Sequence, residues 1–312
     1  MPDAQSPDSQ PSTAPQLGPF AWRTELLAKY PWLTFILPLA VFLLVTSLEP
    51  APPEPKPALP PVADGAAADL PLDPDALAAN EVKPQGENAK TDVANNETQP
   101  ASGWFGVSIP YSAYPIVYTV KLALVAAAML FVLPGYKQFP WRLSPLSVIV
   151  GVVGAVVWVG LCHLQLEQKL LPKIGLGFLV ESGQRSAFNP LVELAGNPMA
   201  AYGFLAIRFI GLVLIVPVIE EFFLRGFLMR VVVHENWHSV PFATVTPLAL
   251  LVGTAFPMLM HPGELVAAAV WFSMVTALMV RTRNIWDCVV AHGITNLLMG
   301  LYAVIWNQWQ LL

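Results

Sequence analysis

The chain of 312 residues is 55% hydrophobic and only 12% charged, with a positive mean hydropathy. Soluble domains of this length seldom reach that balance, and a polytopic membrane protein requires it. The formal net charge of -5 offers no basic surface for nucleic acid. Cys162 and Cys288 lie far apart in apolar segments, so they read as small buried hydrophobes rather than a disulfide framework or a zinc knuckle.

Residues 1–18 are rich in Pro, Ser, Gln and Asp without apolar periodicity, which predicts a disordered tail grading into a pre-anchor stretch that ends at residue 31. The apolar run at 32–48 follows Arg23 and Lys29 and precedes no small-residue cleavage pattern, so it reads as a retained anchor rather than a secretory signal. Residues 49–103 turn Pro-, Ala-, Asp- and Asn-rich, the composition of a flexible linker. A helical membrane domain is expected over 104–312, with apolar runs of spanning length at 111–133, 143–162, 201–219, 242–260, 265–280 and 285–306. With the anchor, these predict an all-α membrane bundle of about seven spans.

Lys and Arg in the short loops set an orientation. Arg23 and Lys29, Lys137 and Arg142, Arg230, and Arg281 with Arg283 put those loops on the cytoplasmic side of a cell (inner) membrane, leaving the linker and residues 165–197 outside. Trp22, Trp32, Trp104, Trp141, Trp286, Trp306 and Trp309 sit near run ends, as in interfacial belts. In the outward loop, Pro172, Gly175, Gly177, Gly183 and Pro190 punctuate short apolar pieces, predicting a partly ordered re-entrant or interfacial segment.

Four polar clusters interrupt the apolar runs: Glu220-Glu221 with Arg225, His261, His292 with Asn296, and Asp287. Ionisable side chains in or against hydrocarbon are costly and mark function. Glu221 and Arg225 are four apart, so they share a helix face with the acid in the favourable N-terminal place. Glu220 points elsewhere, and two adjacent carboxylates in different surroundings suit different roles, one structural and one as a general base. His292 and Asn296 are also four apart and can both donate toward one point, the geometry of an oxyanion hole. His261 is suited to hold a water or move a proton, and with Glu220 it could deprotonate that water.

Each cluster also has a plainer account. The Glu-Arg set could be an ion pair at a helix end near the cytoplasmic rim, His261 a loop histidine beside Pro262-Gly263, and His292 with Asn296 interhelical hydrogen-bond glue. Asp287 reads as a residue of a helix N-terminus. The joint occurrence favours chemistry.

The order of these motifs resembles the CAAX-protease and bacteriocin-processing family of intramembrane glutamic endopeptidases, which includes the type II CAAX prenyl endopeptidases. The resemblance covers 201–312. Its first motif is Glu220-Glu221-Phe-Phe-Leu-Arg225 and its third is His292-Gly-Ile-Thr-Asn296. The second motif, an aromatic four residues before a histidine, is altered: Pro257 stands where the aromatic would be, and Phe256 is one residue further from His261. Residues 158–163 and 185–190 further resemble a branch associated with bacterial protein sorting, the PEP-CTERM and exosortase setting.

The resemblance implies a helical bundle with a buried polar cavity and a cofactor-free endopeptidase acting on a membrane-associated polypeptide. Glu220 and His261 would activate water, His292 and Asn296 would stabilise the oxyanion, and Glu221 with Arg225 would support them. Two other readings use the same residues. One adds a catalytic zinc, although no His-Glu-x-x-His helix is present. The other is a non-catalytic scaffold or transporter-like protein, although no internal repeat is visible. In an up-and-down path with these boundaries, His261 ends on the outward side while Glu220 and His292 lie toward the cytoplasm. A broken helix within 242–280, which Pro247, Pro257 and Pro262 permit, would bring them together.

Overall fold

The computed structural model describes residues 20–50, 109–182 and 187–311. The tail expected at 1–18 lies outside these, as does the expected linker apart from Glu49 and Pro50. Helix α1 (Ala21–Lys29) and helix α2 (Leu33–Thr46) meet at a bend of 94°. Pro31 forces it, because the residue before a proline is pushed out of the helical region, and Tyr30 has φ -127 and ψ 69. Then come α3 (Tyr114–Tyr136), α4 (Pro145–Leu164), the continuous 36-residue α5 (Pro198–Val233), α6 (Pro247–Leu259), α7 (Leu265–Thr282) and α8 (Ile285–Ile305).

Sequence-local caps set most of these starts. Ser144, Asn197 and Thr246 each precede a proline at the first helical position and accept a backbone N–H from Leu146, Ala200 and Ala249, while Asn284 accepts that of Trp286. Asp287 is in the first turn of α8 and accepts the Ser144 N–H at 2.7 Å, tying the start of α4 to the start of α8.

Among the described residues five helices (α3, α4, α5, α7 and α8) are long and apolar enough to cross a membrane, or up to six if α1 and α2 form one bent span. Against the expected count of about seven, the described residues supply five or six such helices. The run at 242–260 yields only α6, 13 residues or about 20 Å at about 1.5 Å per residue, against a hydrocarbon core of about 30 Å. Thr246 and Pro247 start it late, and it stops before His261. The run at 201–219, in contrast, continues to Val233.

The chain is a multi-pass helical membrane protein. Along α3 and α4 the side chains of Ile116, Leu130, Ile149 and Val156 are exposed, which suits hydrocarbon rather than water. Inside, α8 packs along α4, α2 along α3, and α7 against both α6 and α4. Gly151 lets α8 approach α4 closely: a Cβ there would stand 2.8 Å from the Ala291 carbonyl oxygen. The segment after α4 holds short helical pieces at Leu166–Leu170, Pro172–Ile174 and Pro190–Glu193. Its Phe188 is fully buried against Tyr114 of α3 and Phe204 of α5, so the segment folds back onto the bundle. Residues 183–186 of that segment are outside the described residues.

Candidate active site

Helix α5 carries the two glutamates well within its length rather than at its end. It runs on past Glu221 through Arg225 to Val233, which corrects the helix-end setting that the apolar run suggested. It contains two π-helical stretches, Gly211–Ile215 and Phe222–Leu228, on either side of the α-helical Val216–Glu221. Such stretches take an extra residue per turn and free backbone carbonyls.

One freed acceptor is used directly. Asn296 of α8 donates from Nδ2 to the Leu212 carbonyl at 2.9 Å, and Gly293 permits the approach, since a Cβ there would be 2.7 Å from the Val213 carbonyl oxygen. One Asn296 amide proton is thereby committed and one remains.

Glu221 is the hub of the buried polar network. It is 0% exposed, and its Oε2 is paired with Arg225 Nη1, itself on a residue 1% exposed. Its Oε1 accepts from His292 Nδ1 at 2.9 Å. The Arg225 guanidinium also reaches the Phe272 carbonyl at 3.3 Å and Thr276 Oγ1 at 3.5 Å, so α7 closes the network from behind. A buried charge is tolerable only when paired and hydrogen-bonded in this way.

Glu220 faces differently. Its side chain is partly exposed, and its Oε2 lies 3.9 Å from His292 Nε2, beyond hydrogen-bond distance but close enough for one water to contact both. His261, in the loop between α6 and α7, donates from Nδ1 to the Pro257 carbonyl at 2.8 Å. The carbonyl can only accept, so Nδ1 carries the proton and Nε2 is left as the basic nitrogen. Pro257, where sequence comparison would place an aromatic, thus orients the histidine through its backbone.

The aromatic neighbours of His261 come from other helices: Trp158 of α4 at 5.4 Å and Phe272 of α7 at 5.7 Å. Phe256 instead meets Phe223 at 5.5 Å. Trp271 stands edge-to-face on His292 at 4.6 Å and is held by a donation from Nε1 to Thr295 Oγ1 at 3.0 Å, while Thr295 donates to the Gly151 carbonyl at 2.9 Å. Composition alone gave these residues no distinguishing mark. Thr295 had a faint one, a hydroxyl inside an apolar helix between His292 and Asn296.

Glu220, His261, His292 and Asn296 all line one cavity of about 570 Å³, together with Trp158, Leu212, Phe256, Phe272, Phe42 of α2 and Glu49 just beyond the end of α2. The shortness of α6 brings His261 into the cavity, since the chain breaks after Leu259 and turns back into α7. Asp287 lies apart from the cavity wall, bonded to Ser144. Among the described residues no group of three or more His, Cys, Asp or Glu side chains is arranged to hold a metal ion.

Residues 202–298 match the family model described as type II CAAX prenyl endopeptidase Rce1-like. That stretch includes each of the six site residues named above. No curated protein and no solved structure matches the chain.

Proposed function

We propose, from the match of residues 202–298 to the Rce1-like type II CAAX prenyl endopeptidase family, that this chain is a membrane protease that hydrolyses a peptide bond of a membrane-associated polypeptide with Glu220 as its general base. The observation that carries the proposal is the convergence of Glu220, His261, His292 and Asn296 on one cavity, with the Glu221–Arg225 pair behind His292.

A water in the cavity bonds the Glu220 carboxylate and the basic Nε2 of His261. Glu220 takes its proton as the water oxygen attacks the scissile carbonyl carbon, forming a tetrahedral oxyanion. The remaining Asn296 Nδ2 proton donates to that oxyanion, and His292 joins it through Nε2 when that nitrogen carries a proton. The proton then passes to the leaving amine, the C–N bond breaks, and the elements of water have been added across it. Glu221 holds the His292 ring in place. No cofactor enters these steps. A cell (inner) membrane with the basic loops inside is the setting the charge pattern favours.

The test is cleavage of a library of fluorogenic apolar peptides by purified protein in detergent. The expected result is that Glu220→Gln and His261→Ala each lose turnover with unchanged melting temperature, and that wild type is indifferent to chelator. Retained turnover in Glu220→Gln would remove the mechanism, and loss of wild-type turnover on chelation would replace it with a metal-dependent one.

A further inference from the structure

The same cavity wall holds a charge that the proposed chemistry does not use. Arg208 of α5 is 2% exposed and lines the cavity. Its guanidinium donates from Nη1 to the Phe188 carbonyl at 2.7 Å and stands over the Tyr114 ring at 5.9 Å. No carboxylate among the described residues pairs with it. The nearby Glu49, also on the cavity wall, is committed to Lys121. Tying down one carbonyl needs a single donor, which a neutral amide could supply. A full positive charge held there without a carboxylate partner among the described residues needs another account.

Its placement relative to Glu220 supplies one. Arg208, Leu212, Val216 and Glu220 follow each other at four-residue steps on α5, and all four line the cavity. In an unbroken α-helix each such step overshoots a turn by about 40°, so the row would swing through about 120° from Arg208 to Glu220. The π stretch Gly211–Ile215 absorbs the overshoot by spending an extra residue in one turn. Arg208 and Glu220 therefore face the same space from positions about 18 Å apart along the axis, at about 1.5 Å per residue. An extended peptide covers that span in about five residues at about 3.3 Å each.

We propose that Arg208 is a specificity-determining residue that binds a carboxylate of the substrate polypeptide about five residues from the bond that is cut, whether that carboxylate is an Asp or Glu side chain or the chain's free C-terminus. The guanidinium fork matches a carboxylate in two parallel hydrogen bonds and is held still by Phe188 and Tyr114. The inference rests on the proteolytic reading of the site, and binding separates the two.

The experiment uses the full chain in neutral detergent and fluorescent twelve-residue apolar peptides. Each carries one Glu at a varied position, with a Gln counterpart and with C-terminal acid and amide forms. Anisotropy gives affinity, and mass spectrometry of products gives the cut site. The expected result is that wild type binds the Glu or free-acid peptides tenfold or more tightly than their neutral counterparts and cuts about five residues from the carboxylate. Arg208→Gln should erase that difference, and Arg208→Lys should keep part of it. Preference confined to Glu assigns a side-chain carboxylate, and preference confined to the acid over the amide assigns the terminus. Equal binding of charged and neutral peptides by wild type overturns the proposal without recourse to any variant. So would a melting temperature raised by phosphatidylglycerol in wild type but not in Arg208→Gln, with no peptide preference, since the guanidinium would then serve a lipid phosphate. Charge-selective binding without cleavage would leave the anion site standing and remove the proteolytic reading instead.

Discussion

Glu221 Oε1 lies 2.9 Å from His292 Nδ1 while its Oε2 is paired with Arg225, so one fully buried carboxylate joins a cation on its own helix to an imidazole on another. The two contacts make different demands, one on stability and one on catalysis, and substitution separates them. Glu221→Gln leaves Arg225 charged and unpaired in the interior, which should cost about 3–5 kcal/mol of stability in detergent. Adding Arg225→Met removes the orphaned charge and should recover most of that loss without restoring cleavage. Unchanged stability in the single variant, or cleavage regained in the double one, contradicts this division.

Thr295→Val tests how the histidine is held. It removes the acceptor of Trp271 Nε1 and the donor to the Gly151 carbonyl, with a stability loss of about 1–3 kcal/mol for the polar groups left unmet. Trp271 stands against the His292 ring, so kcat should fall more than KM rises. Thr295→Ser keeps the hydroxyl and should behave as wild type. If Ser and Val variants have equal kinetics, the hydroxyl does not position the ring.

Gly293→Ala probes the seat of α8 on the π stretch. The added Cβ would stand 2.7 Å from the Val213 carbonyl oxygen, a backbone atom that no rotamer change can clear. Overpacking of this kind costs about 1–3 kcal/mol, and displacing α8 also lengthens the bond from Asn296 to the Leu212 carbonyl. Lower melting temperature together with lower kcat is expected. A fully active, stable variant would show that the helix pair has more give than its geometry allows.

The pairing of Lys121 with Glu49 fastens the end of α2 to α3 inside the apolar shell, aided by Thr46 Oγ1 at 3.3 Å and the Phe42 ring at 4.4 Å. Lys121→Met strands the carboxylate and should destabilise by about 3 kcal/mol. Exchanging the charges, Lys121→Glu with Glu49→Lys, should regain part of that loss. Additive effects in a double-variant cycle would mean that the two side chains do not interact.

Much of this arrangement is legible in the chain because the signals are local. Pro after Ser, Asn or Thr marks helix starts, long apolar runs mark spans, and the four-residue spacing of Glu221 with Arg225 and of His292 with Asn296 places each pair on one face. Helix length was less legible. By hydropathy the run at 201–219 ends at the glutamates only because they are charged, and their pairing inside the bundle lets the helix continue. The run at 242–260 looks long enough to span because hydropathy does not register the Thr246-Pro247 start. Lys121 and Arg208 are lone cations within apolar runs, a signal present in the sequence that the glutamate motif overshadowed. The neighbours of His261 and His292, namely Trp158, Phe272 and Trp271, are set by tertiary packing and have no local signature.

The π stretch at Gly211–Ile215 makes the site sensitive to the number of residues above it rather than to their identity. Leu212, Val213 and Leu214 serve α5 as backbone and apolar bulk, so exchanges among aliphatic side chains should pass there. Losing a single residue would restore regular winding and turn everything before it by about 100° relative to Glu220. Arg208 would then leave the cavity and the carbonyl that receives Asn296 would be re-absorbed into the helix, although every side chain assigned to the chemistry would still be encoded. Exchanges that keep the residue count of this stretch should therefore be tolerated, whereas a one-codon deletion in it should dismantle the cavity.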